Sequence, residues 1–139
     1  MISAIRIWGT MIIQPLDSPS TPIVEPQWTM NRGDSEFYEI NFTQGTTLDC
    51  FMLDEIDSQY RRQHQDDRIR VIVHLGGLVD VCPDVAARLS AAPESTRLAL
   101  FGSSHVDQVL SGFLMADLSN AKITKYVTKF DDAIAFLKE

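Results

Sequence analysis

The chain has 139 residues, 45% of them hydrophobic and 22% charged, which suits one ordinary domain able to bury its own core without metal or disulfides. A net charge of −7 with no basic stripe argues against nucleic acid as the main partner and against electrostatic docking on anionic membranes. Cys50 and Cys82 fit neither a CxxC nor a zinc spacing, so both read as reduced thiols of a cytoplasmic protein; no cofactor is expected.

The first residues, Met1–Leu16, are apolar but interrupted by Arg6 and followed by no small-residue cleavage site, so neither an integral membrane segment nor a signal peptide is expected. Residues 2–14 read as one Ile-rich strand and 15–26, with four prolines, as an extended arm. This divides the chain into an appendage, 1–26, and an α/β domain, 27–139.

Gln27–Met30 and Glu36–Phe42 are expected to form a hairpin around Asn31-Arg32-Gly33-Asp34, whose Asn and Gly tolerate positive φ; the Arg-Gly-Asp within it is read as a turn. Thr46–Gln65 has the stripe Leu48, Met52, Ile56, Tyr60 of an amphipathic helix, with Thr46 and Asp49 as its capping box. From residue 68 onward the pattern strand-then-helix repeats three times. The strands are Arg68–Leu75, Arg97–Phe101 and Lys122–Val127; the helices are Pro83–Ala91, His105–Leu118 and Asp131–Lys138. The last two helices carry the cap pairs Ser104/Asp107 and Thr128/Asp131. That alternation predicts an α/β fold: a mixed, mostly parallel sheet of four to six strands with helices mainly on one face.

Ligands of open α/β sheets bind beyond the carboxyl ends of the strands, so the seams there hold the candidate sites. Gly76 and Gly77 end one strand and allow backbone to approach a phosphate, although neither GxGxxG nor a P-loop is present; a tight turn explains them as well. Gly102, Ser103 and Ser104 precede a helix, where free N–H groups and two hydroxyls suit an anion; Ser is also a favoured cap. Ser103, His105 and Asp107 have the residue types of a hydrolase triad, but neighbours within one helical turn cannot make that relay. The three histidines, His64, His74 and His105, have no carboxylate or second histidine at ligand spacing, and His74 is expected to be a partly buried structural residue. Cys82 has Asp80 and Asp84 beside it, which does not activate a thiol. The helix from Ser104 to Leu118 is apolar beyond one stripe. It predicts either deep burial or an interface, with Phe113 and Met115 as the contacts to test.

Residues from about 28 to 139 resemble the STAS-like proteins, the fold of bacterial anti-sigma-factor antagonists. The resemblance rests on three stretches: the strand and Gly turn Val71-Ile72-Val73-His74-Leu75-Gly76-Gly77-Leu78, the strand Arg97–Gly102 leading into Val106–Leu114, and the closing Phe130-Asp131-Asp132-Ala133-Ile134-Ala135-Phe136-Leu137. It implies a non-catalytic regulatory or protein-binding module. Signalling members carry a phosphorylated Ser or Thr where this chain has Asp84, and a carboxylate is no substrate for a Ser/Thr kinase. The expected partner surface is the Asp80–Cys82–Asp84 loop with the 104–118 helix, and the expected assembly a homodimer, to which residues 1–26 contribute by strand pairing. The alternative is a small-ligand or lipid carrier that holds an anionic head group at Gly102–Ser104 and requires an apolar cavity. A small hydrolase is the third reading.

Overall fold

The computed structural model describes residues 26–33, 36–64, 68–116 and 123–139. The strand expected over 2–14 and nearly all of the proline arm lie outside these residues, as do Asp34 and the last residues of the helix expected to reach Leu118.

Among the described residues, seven strands and four helices follow in the order β1 (Trp28–Arg32), β2 (Tyr38–Phe42), β3 (Thr46–Leu48), α1 (Cys50–Gln63), β4 (Arg70–His74), β5 (Leu78–Val81), α2 (Asp84–Ser90), β6 (Arg97–Phe101), α3 (His105–Leu114), β7 (Thr124–Val127) and α4 (Phe130–Leu137). Five strands form one mixed sheet in the order β1-β2-β4-β6-β7. β1 and β2 pair antiparallel, and every other neighbour is parallel. This is the α/β sheet expected from the alternation of strands and helices.

The hairpin forms one step later than its turn residues suggest. Asn31 and Arg32 are still paired, with Glu39 and Tyr38, and the positive φ falls on Glu36 rather than on Asn31. Arg32 stabilises that loop by donating from Nε to the Glu36 carbonyl at 3.1 Å and by stacking its guanidinium over the Tyr38 ring.

A second, two-stranded sheet is not legible in the sequence. β3 pairs parallel with β5, and this ladder claims the backbone of Thr46, which also donates its N–H to Gly77 O. The first helix therefore starts at Cys50, four residues after its expected start at Thr46. Asp49, not Thr46, is its cap and accepts from Met52 N at 2.8 Å. The Thr128/Asp131 cap is likewise not formed: Lys129 occupies the N-cap of α4 without a side-chain bond. The Ser104/Asp107 box is complete.

Strand alternation divides the core between the two faces of the sheet. Val71 and Leu100 point with Ile40 and Phe42 into one cluster, against Met52, Ile56 and Tyr60 of α1, Val85 of α2, and Leu110 and Leu114 of α3. Ile72, Ala99 and Val127 point the other way, onto Ala133, Phe136 and Leu137 of α4. Three helices thus share one face and α4 covers part of the other. Ile72, Leu75, Leu100, Leu114 and Leu137 are almost completely buried, each contributing about 1.5–3 kcal/mol by its removal from water. Tyr60 joins the helical layer to the sheet: its hydroxyl donates to Arg68 O at 3.0 Å and accepts from Arg70 N at 3.4 Å.

Candidate functional site

Of the two seams expected to bind an anion, one is a tight turn and the other a helix cap. Leu75–Leu78 is a turn closed by Leu78 N–H to Leu75 O at 3.1 Å, with Gly77 at φ +98°. A Cβ on Gly77 would stand 2.2 Å from Phe42 O. Gly77 is therefore glycine because the turn needs a left-handed residue pressed against a neighbouring strand end. At the second seam Gly102 N–H donates to Val127 O, and the amides of Ser103 and Ser104 both donate to Asp107 Oδ2, at 3.0 and 3.3 Å. The Ser104 hydroxyl accepts from Asp107 N in return. A buried carboxylate of α3 thus sits where the head group of a carried lipid was expected, and Gly102 gives it room: a Cβ there would lie 2.5 Å from Asp107 Cβ. An incoming anion would meet that negative charge rather than vacant donors.

Asp80, Cys82 and Asp84 form the rim between β5 and α2. Asp80 and Asp84 are exposed and Cys82 is half-buried. Asp80 Oδ1 accepts from Val81 N at 2.9 Å. Burial first, then the carboxylates of Asp49, Asp80 and Asp84, push the Cys82 thiol above the ordinary thiol range, so it is neutral and poorly nucleophilic at pH 7.

The sheet brings together a pair that no short spacing announces. The β2–β4 register sets Glu39 beside Ile72 and Ile40 beside Val73, which places Glu39 within reach of His74. His74 Nε2 lies 2.7 Å from Glu39 Oε1, with both side chains half-buried. An ionised carboxylate only accepts, so Nε2 carries the proton. The imidazole meets Phe101 edge-on at 5.3 Å, and Phe101 meets Phe130 at 6.0 Å, so the pair is held by aromatic walls. His74 is the partly buried histidine expected, with a partner 35 residues away. Among the described residues, no group of three or more His, Cys, Asp or Glu side chains could hold a metal ion, and no helix is long and apolar enough to cross a membrane.

Helix α3 does not bury all of its apolar residues. Asp107, Leu110, Ser111 and Leu114 face the core, while Val106, Val109 and Phe113 are 55%, 46% and 53% exposed. Val106, Val109 and Phe113 form a separate outer stripe at i, i+3, i+7. Met115 is half-buried against the core as the C-cap, so of the two expected contacts Phe113 is the accessible one.

A cavity of about 260 Å³ lies between α1, the α2–β6 connection and the sheet. Its walls include Ile56, Tyr60, Val71, Leu89 and Leu100. Asp57 and Arg61 of α1 and Arg88 of α2, all substantially exposed, also line it and mark where it meets solvent. Arg61 Nε pairs with Asp57 at 3.0 Å, and Arg88 pairs with Asp54 across the α1–α2 seam. Thr96 lines the same space, is only 1% exposed, and its Oγ1 has no hydrogen-bond partner among the described residues.

Comparison of the chain with protein-family models, with curated proteins and with solved structures finds no match.

Proposed function

We propose that the chain is a non-catalytic, cytoplasmic binding module of the STAS-like kind, and that it pairs with a second copy of itself through the outer face of α3. The observation that carries this reading is the stripe of Val106, Val109 and Phe113, three large apolar side chains about half exposed on one helix face. Exposed apolar residues gathered on one surface of a small domain mark an interaction site more often than scattered ones do. The face has no charged side chain: His105, Gln108 and Gly112 are its other exposed residues, and the only carboxylate of the helix, Asp107, is turned inward. A Cβ on Gly112 would meet nothing within 4 Å, so the surface beside Phe113 is open to a close-packing helix. An uncharged apolar face suits a two-fold contact, in which each residue meets the same surface of the other copy and like charges would oppose one another. Val79 of β5, the strand against which α3 packs, is exposed as well.

Asp84 stands in the first turn of α2, and the resemblance aligns it with the phosphorylated hydroxyl of STAS-like signalling proteins. A permanent carboxylate there supports a module that binds without that switch.

Sedimentation equilibrium tests the pairing. The 15.6 kDa chain is expected to sediment as a species of twice that mass, and Phe113→Asp as the single chain with an unchanged circular-dichroism spectrum. A wild-type chain that stays at 15.6 kDa at hundreds of micromolar overturns the reading.

A further inference from the structure

We infer that the cavity between α1, the α2–β6 connection and the sheet is a binding site for a small neutral molecule, mostly apolar, with one hydrogen-bonding group directed to Thr96. This goes beyond the proposed pairing through α3 and does not rest on it, since Phe113 and the other residues of the outer stripe do not line the cavity.

Three observations define the ligand. Size comes first. A dry protein cavity of about 150 Å³ accepts benzene, so by proportion the 260 Å³ here holds about ten non-hydrogen atoms. The second is the character of the wall, which is aliphatic and aromatic through Ile56, Tyr60, Val71, Leu89 and Leu100. The third is polar. Thr96 is nearly fully buried and its Oγ1 is left without a partner, although a hydroxyl sealed in an apolar wall is costly unless something bonds to it. A ligand hydroxyl or carbonyl reaching Thr96 removes that cost. Ionised ligands are disfavoured because the charges at the mouth already compensate one another, Arg61 with Asp57 and Arg88 with Asp54. Neither guanidinium is left over to neutralise a carboxylate or phosphate.

The test uses two probes of nearly the same shape, 4-propylphenol and propylbenzene, titrated into the full-length ¹⁵N-labelled protein and followed by amide shifts. Saturable shifts are expected at the residues that line the cavity on α1, β4 and β6. The ratio of the two affinities, phenol over hydrocarbon, is expected to fall roughly fivefold in Thr96→Val, which removes the hydroxyl at constant shape, and to persist in Thr96→Ser. Phe113→Asp should leave both affinities unchanged, so the pairing through α3 can fail while the cavity site stands. If neither probe saturates in the wild type, the cavity takes up water alone and the site is refuted. If the shifts map to another surface, or the ratio is the same with and without the hydroxyl, the inference is equally refuted.

Discussion

At the scale of single residues, the two adjacent glycines of the Leu75–Leu78 turn separate a structural requirement from a merely permitted residue. Gly77 has φ +98° and faces a backbone carbonyl at a distance no Cβ tolerates, whereas a Cβ on Gly76 would meet nothing within 4 Å. Gly77→Ala is therefore expected to destabilise the fold by about 2–3 kcal/mol, and Gly76→Ala by less than about 0.5 kcal/mol, in urea unfolding. Equal losses would mean that the turn relaxes around a side chain and that Phe42 does not fix it. The glycine pair was legible in the sequence as a turn, but which of the two is indispensable was not, because the obstacle comes from β2, more than thirty residues earlier. The same holds for His74 and Glu39. Their hydrogen bond follows from strand register, and register between non-consecutive strands has no short-range sequence signature. Thr96 looks like any loop threonine until the packing around it shows that its hydroxyl is sealed in.

At the scale of elements, the Ser104/Asp107 box is the best-specified boundary in the chain. Ser104 Oγ accepts from Asp107 N at 3.0 Å while Asp107 Oδ2 accepts from two amides. Replacing Asp107 by Ala orphans both donors at the start of α3, with an expected cost of about 1–2 kcal/mol in urea unfolding; Ser104→Ala should cost about 1 kcal/mol. A negligible effect of Asp107→Ala would show that water satisfies the Ser103 and Ser104 amides as well as the carboxylate does. This cap was readable because its two partners are three residues apart and the signal is local. The long β-branched and aliphatic strands β4 and β6 were readable for a related reason: their burial on both faces leaves an unbroken apolar run. The β3–β5 ladder was not. Its strands have three and four residues, too few to show a period of two, and Leu48 continues the helical stripe of α1, so in sequence β3 looks like the first turn of the helix. In α3 the apolar content was plain, but its division into a core face and an outer stripe depends on where β5 and α2 end, which composition does not reveal.

At the scale of the whole molecule, the net charge of −7 acts on the proposed pairing in a direction that distinguishes it from other contacts. Two copies repel one another over a distance set by screening, about 30 Å at 0.01 M salt and about 8 Å at 0.15 M. The outer face of α3 has no carboxylate or guanidinium to make compensating ion pairs. Salt therefore weakens the repulsion without weakening the contact, and apolar burial itself is little affected at these concentrations. Self-association is expected to tighten several-fold between 10 and 150 mM NaCl, measured by sedimentation equilibrium at constant pH. The opposite trend, a dimer that loosens as salt is added, would place charged pairs in the interface. It would move the contact away from α3 to surfaces such as the Asp80–Asp84 rim, where a carboxylate cluster can meet a cation of the other copy. Because the cavity lies between α1, the α2–β6 connection and the sheet and its mouth charges are internally paired, binding of a neutral probe should show no comparable salt dependence. The two surfaces are thus separable by ionic strength alone: one recognises a like-charged copy through an uncharged face, the other a neutral molecule through an apolar wall.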